Sequence, residues 1–170
     1  MKRHFNTTGP VIPAQHYCVD PMTRLDWEDV QYLIGTGKFF VLHAPRQTGK
    51  TSTLLAMMNV LNESDEYSCL YINVESAQSA RNDVAAGMLT IVDNLVEGAA
   101  IRLGEVGLRG WREDIWRNSG AHGAFKSILS RWAQESDKPI VLMIDEVDAL
   151  VGDTLISLLR QLREGYIGRP

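Results

Sequence analysis

The stretch FFVLHAPRQTGKTSTLL, residues 39–55, places an apolar run before a Gly-Lys-Thr triplet and an amphipathic segment after it. This order is typical of a strand that leads into a phosphate-binding loop and then into a helix. In such a loop, successive backbone N–H groups and a helix N-terminus point at one anion. The stretch therefore predicts a site for the phosphates of a nucleotide.

Within the loop APRQTGKT, residues 44–51, Gly49 lets the backbone approach the ligand, Lys50 reaches the β- and γ-phosphates, and Thr51 offers a hydroxyl to Mg²⁺. Ala44 stands where the pattern G-x-x-x-x-G-K-[ST] has its first glycine. Since Pro45 restricts Ala44 to extended geometry, we expect a shifted loop entry and an intact anion site. The predicted nucleotide-binding residues are Ala44, Pro45, Arg46, Gln47, Thr48, Gly49, Lys50, Thr51 and Ser52.

A second motif lies in KPIVLMIDEVDAL, residues 138–150, where five apolar residues end in Asp145 and Glu146. Ligands of open α/β sheets bind beyond the carboxyl ends of the strands. One carboxylate at that edge can hold Mg²⁺, and its neighbour can polarise an attacking water. The alternative is that both residues only begin a solvated loop. Together with the 44–51 loop, the motif favours a site with Thr51 and Asp145 as metal ligands and Glu146 and Lys50 as catalytic residues.

Three short apolar runs without polar alternation predict buried strands at 39–43, 69–74 and 140–145. Helical spacing of apolar residues lies before, between and after them. The predicted helices span 26–35, 51–62, 79–103, 121–134 and 153–163. Alternating strands and helices predict an α/β fold with a mainly parallel sheet. We expect an extended N-terminal arm at 1–25 and one nucleotide-binding domain at 26–170.

The segment 104–120 is the least regular part of the sequence. Its two tryptophans and three arginines resemble a nucleic-acid surface, but nearby carboxylates cancel the charge; the residues are Trp111, Trp116, Arg109, Arg112, Arg117, Glu105, Glu113 and Asp114. Sequence-independent nucleic-acid binding needs uncompensated cations. The composition therefore favours an exposed helical insertion or a surface for a protein partner.

The chain has 170 residues, a formal net charge of −4 and 45% hydrophobic residues, as expected for one folded domain. Such a charge gives no long-range field that attracts nucleic acid or anionic lipid. No apolar run approaches the ~20 residues of a membrane span. The two cysteines, Cys18 and Cys69, are far apart and suit a reducing compartment, so we expect a cytoplasmic protein without a membrane partner.

The two motifs together resemble the P-loop ATPases of the AAA+ and STAND branches, in which a Walker A loop is paired with a Walker B strand ending in Asp-Glu. More closely, HAPRQTGKTS (43–52) with the upstream VDPMTRLDWEDVQYLIGTGKFF (19–40) resembles prokaryotic AAA-like ATP-binding proteins whose loop reads PRQTGKT. This resemblance covers most of the chain. It implies a three-layer α/β/α P-loop fold that binds ATP and Mg²⁺.

By the resemblance, Lys50 and Thr51 are the Walker A lysine and the Mg²⁺-ligating hydroxyl, Asp145 is the Walker B aspartate, and Glu146 is the base that activates water. It also implies that the arm bearing Tyr17, Pro21 and Arg24 lies near the adenine, and that ATP is bound rather than GTP.

In the resembled class, a further strand lies between the two motif strands and follows the helix after Walker B. We therefore expect the chain to be an N-terminal fragment; the alternative is a strand order that places 39–43 beside 140–145.

The functions that stay open are ATP hydrolysis coupled to conformational change, a slow signalling switch of the STAND kind, and a binding module with a degenerate loop. A homo-oligomer or a protein partner is also left open, while a small-molecule kinase is disfavoured because adjacent acids suit water activation.

Overall fold

Two of the predicted strands pair in parallel: β1 (Ser68–Asn73) with β2 (Ile140–Asp145). The register aligns Asn73 with Asp145, so the two strands end at the same edge of the sheet. The computed structural model describes residues 3–6, 12, 14–45 and 47–167. Both strand predictions are confirmed to within one residue at each end.

Six α-helices are found in the described residues; five of them match the predicted helices with shifts of up to five residues at their ends, and the sixth lies in the segment 104–120. They are α1 (Trp27–Gly35), α2 (Lys50–Glu63), α3 (Val84–Leu103), α4 (Gly107–Ser119), α5 (Ala124–Glu135) and α6 (Asp153–Ile167). Short 3-10 helices lie at Pro21–Arg24 before α1, at Glu75–Ala80 between β1 and α3, and at Val147–Ala149 between β2 and α6. The predicted α/β class is confirmed, while the three-layer sandwich stays a prediction.

The predicted strand at 39–43 is wrong. These residues have no regular secondary structure, and the side chains of Phe39 and Val41 are 60% and 87% exposed. An extended segment without a neighbouring strand gains no ladder hydrogen bonds, so it has no reason to become a strand. In the part of the chain that the structure describes, β2 pairs with β1 alone.

The chain divides into two compact units, Met1–Asp65 with α1 and α2, and Glu66–Pro170 with both strands and α3 to α6. In the first unit, the backbones of His4 and His16 form an isolated bridge. The carboxylate of Asp26 then caps α1 by accepting a hydrogen bond from the N–H of Asp29. The boundary expected between an arm and a domain at residue 25 stays a prediction.

The core of the second unit forms around α3. One face of the sheet presents Leu70, Ile72, Leu142 and Ile144 to a cluster of apolar side chains from α3, α5 and α6. The fully or nearly fully buried residues of α3 are Met88, Ile91, Val92, Leu95, Val96 and Ala99. By length and composition alone α3 would be long and apolar enough to cross a membrane. Its burial in this core is sufficient reason for its apolar sequence.

Most of the segment 104–120 forms α4, which confirms the helical part of the prediction, but Leu108 is fully buried in the core, so the segment is not an exposed insertion. Two of its arginines pair with carboxylates of α3: Arg109 with Glu97 and Arg112 with Asp93. The hydrogen bond from Arg109 lowers the pKa of Glu97. The carboxylates of α3 compensate the charges of Arg109 and Arg112. These two arginines are therefore not the uncompensated cations that nucleic-acid binding requires.

Candidate functional site

The loop before α2 contains residues with left-handed backbone angles next to a helix N-terminus. Gln47 and Gly49 both have left-handed backbone angles, with φ of 62° and 87°. The helix begins directly afterwards at Lys50, and its N-cap residue Gly49 has no side chain to accept hydrogen bonds from the first turn. Alternation of left-handed residues just before a helix turns backbone N–H groups toward one point, where an anion is stabilised.

Side chains hold this loop from two directions. The hydroxyl of Thr48 donates to the carbonyl of Pro45 at 2.7 Å. The guanidinium of Arg24 donates to the carbonyl of Thr48. A Cβ atom on Gly49 would lie 3.0 Å from Nη1 of Arg24, so the left-handed angle and the close contact both favour glycine here. The resemblance implied an arm near the adenine; the structure shows the guanidinium of Arg24 on the loop backbone.

The predicted phosphate-binding residues occupy consecutive parts of this loop. Ala44 and Pro45 precede the turn, Arg46 lies outside the described residues, and Gln47 and Thr48 form the turn itself. The last three predicted residues begin the first turn of α2 and have half-buried side chains: Lys50, Thr51 and Ser52. The structure therefore brings the loop residues together around one helix N-terminus.

The carboxylate of Asp145 is fixed at the end of β2. The residue is only 5% exposed, so it is not part of a solvated loop. Its Oδ1 accepts a hydrogen bond from the N–H of Glu146 at 3.0 Å, and its Oδ2 accepts one from the hydroxyl of Tyr71 at 3.1 Å.

Glu146 follows in a left-handed conformation, with φ of 59° and ψ of 32°. This conformation costs a residue with a Cβ roughly 1–2 kcal/mol. The strain is localised at the point where the chain leaves the strand and enters the 3-10 helix Val147–Ala149. Strained residues of this kind concentrate at functional sites, so the backbone of Glu146 adds a structural reason to examine its side chain.

Sequence reasoning missed Tyr71, because it lies inside an apolar run and reads as a core residue. A signal was present, since a buried tyrosine hydroxyl needs a hydrogen-bond partner. The identity of that partner depends on the register of two strands, which the sequence does not give. Cys69, on the same strand, has no such role: burial raises the pKa of its thiol to about 12.

The two motifs each offer an oxygen group of the kind that Mg²⁺ prefers. Among the described residues there is no group of three or more His, Cys, Asp or Glu side chains that would hold a metal ion. Mg²⁺ prefers oxygen ligands and is commonly bound by one or two protein groups plus phosphates and waters. The hydroxyl of Thr51, in the first unit, and the carboxylate of Asp145, in the second, are each groups of that chemical type.

Comparison with models of known protein families matches residues 33–167 to an AAA domain. The match spans both the 44–51 loop and the Asp145-Glu146 pair. No curated protein and no solved structure matches the sequence in the corresponding searches.

Proposed function

The chain belongs to the AAA domain family of P-loop ATPase-like nucleotide-binding proteins, and from this premise we propose that it binds ATP with Mg²⁺ and hydrolyses it. The observation that carries the proposal is the loop geometry: two left-handed residues, Gln47 and Gly49, directly before a helix that begins at Lys50. Such a backbone favours a phosphate over a neutral ligand.

Each residue of the site has a proposed role. The loop N–H groups and the ammonium of Lys50 bind the phosphates, which neutralises charge that develops during transfer to water. Thr51 and Asp145 hold the Mg²⁺, which when bound orients the phosphates and withdraws charge from them. The carboxylate of Glu146 accepts a proton from the attacking water.

The test compares three variants of the chain, using Mg·ATP as ligand, calorimetry for binding and phosphate release for turnover. Lys50→Ala is expected to abolish detectable binding, because the ammonium contacts the phosphates directly. Lys38→Ala is the control, since that lysine is an exposed residue of the same unit that stacks on Tyr32. If Lys50→Ala binds like the parent chain, the proposed site is wrong.

Glu146→Gln separates binding from hydrolysis. The amide keeps the size of the side chain but cannot accept the proton, so we expect normal ATP affinity and turnover lowered by at least about 100-fold. Turnover at the parent rate would show that Glu146 is not the base. Slow turnover by the parent chain itself, with tightly retained nucleotide, would favour a signalling switch of the STAND kind coupled to conformational change.

A binding module with a degenerate loop is the competing function, and the departure at Ala44 is the feature that favours it. Thermal unfolding separates the two, because any ligand of the native state raises its melting temperature. Millimolar Mg·ATP is expected to raise it, and an unchanged melting temperature would favour the module. We also propose a cytoplasmic location, because Cys18 and Cys69 are far apart in the sequence and suit a reducing compartment.

A further inference from the structure

Tyr71 and Asp145 lie on the same face of the two-stranded sheet. The register aligns Tyr71 with Met143, two residues before Asp145, so the tyrosine reaches the carboxylate diagonally along the sheet. Its hydroxyl donates to Oδ2 at 3.1 Å, and the two residues are 8% and 5% exposed. The contact is therefore a buried hydrogen bond between neighbouring strands.

The hydrogen bond completes the fixation of the carboxylate. Oδ1 already accepts from the backbone N–H of Glu146, so the two bonds together hold both oxygens and select one side-chain rotamer. The hydroxyl of Tyr71 is the donor of this bond, and Oδ2 of Asp145 is the acceptor.

The tyrosine ring is itself held in place. The guanidinium of Arg102, at the end of α3, lies over the ring at 5.8 Å from its centre. Because the ring is fixed by this contact and by its burial in β1, the hydroxyl is presented to Asp145 at low entropic cost. The arrangement is a chain of contacts from α3 through β1 to the end of β2.

We propose that Tyr71 is a positioning residue for the Mg²⁺-binding carboxylate of Asp145. The inference rests on the proposed function, in which Asp145 is a metal ligand. Groups that hydrogen-bond to a metal ligand fix its orientation, and their loss typically costs 10- to 100-fold in metal affinity or activity. Tyr71 touches neither nucleotide nor water in this role and acts only through Asp145.

The test is Tyr71→Phe, which keeps the ring, its burial and the Arg102 contact but removes the donor. ATP affinity is measured by calorimetry over a series of free Mg²⁺ concentrations and in EDTA. We expect the Mg²⁺ concentration at half-saturation to rise about tenfold, while ATP affinity in EDTA stays unchanged. A purely structural role would lower both affinities together or leave both unchanged, so either of those results overturns the inference.

Two further variants keep the inference testable. Tyr67→Phe removes a hydroxyl just before β1 and is expected to leave the Mg²⁺ dependence unchanged. In an Asp145→Asn background, Tyr71→Phe should add nothing to the Mg²⁺ defect, and an additive defect would overturn the inference. Should the parent chain itself fail to bind Mg·ATP, the proposed function falls and the inference with it. If the parent chain binds Mg·ATP and Tyr71→Phe shows the same Mg²⁺ dependence as the parent, the inference is wrong but the proposed function is not affected.

Discussion

Gly87 of α3 lies directly against Thr154 of α6: a Cβ atom on Gly87 would be 2.4 Å from Cγ2 and 2.6 Å from Oγ1 of that threonine. Thr154 is fully buried, and its N–H donates to the carbonyl of Arg81 at 3.0 Å. The two helices cannot separate without breaking this contact. The pair therefore fixes where α6 begins, shortly after the chain leaves β2.

Gly87→Ala is the first prediction. Alanine favours a helix interior by about 1 kcal/mol over glycine, but overpacking a buried contact costs about 1–3 kcal/mol. We expect net destabilisation, measured as the free energy of unfolding in urea. Gly98→Ala is the matched control on the same helix, because its Cβ would lie 3.5 Å from the nearest atom of Leu70, an ordinary contact. Gly98→Ala should leave the free energy of unfolding unchanged or raise it. Equal destabilisation of both variants would contradict the prediction.

Gln161 of α6 supplies the second prediction, since its buried amide caps α5. Its Oε1 accepts from the N–H groups of Phe125 and Lys126 at 3.0 and 3.2 Å, and its Nε2 donates to the carbonyl of Ala121 at 2.9 Å. A buried group left without its partner costs about 1–3 kcal/mol. Gln161→Leu should therefore lower the free energy of unfolding by at least about 2 kcal/mol.

The control for that change is Gln134→Leu, the same substitution at an exposed position of α5. Its expected effect lies within about 0.5 kcal/mol, as for most surface substitutions. If Gln134→Leu lowers the free energy of unfolding as much as Gln161→Leu does, the capping hydrogen bonds of Gln161 do not account for the loss.

The backbone of Glu146 gives the third prediction. Glycine adopts left-handed angles without a Cβ penalty, whereas alanine carries the same penalty as glutamate. Glu146→Gly should be more stable to urea than Glu146→Ala by about 1 kcal/mol, and under the proposed function both should lack turnover. Equal stability of the two variants would mean that no strain is held at this residue.

The fourth prediction concerns the two thiols. Cys18 is exposed, whereas Cys69 is fully buried in β1 with a thiol pKa raised to about 12. Since the thiolate is the reactive form, a disulfide reagent at pH 8 should label one thiol in the native protein and two in urea. Rapid labelling of Cys69 in the native state, checked by mass spectrometry of peptides, would contradict the burial of β1.

The sequence by itself determined the features that depend on neighbours along the chain. Apolar runs predicted the strands that contain Leu70 and Ile144, and the order of turn and helix-forming residues predicted the loop around Gly49. These patterns are local, because turn angles and helix starts follow from the residue and its near neighbours. The α/β class follows from their alternation.

Only the tertiary structure decided the rest, since it depends on residues that are distant in sequence. In the described part of the chain, the run at 39–43 has strand composition but forms no strand, because a strand needs a ladder of hydrogen bonds to a second strand as well as a suitable composition. The Tyr71–Asp145 bond joins positions 74 residues apart through the register of β1 and β2. The cap that Gln161 provides and the contact between Gly87 and Thr154 likewise arise when helices pack, which fixes distances that no local pattern contains.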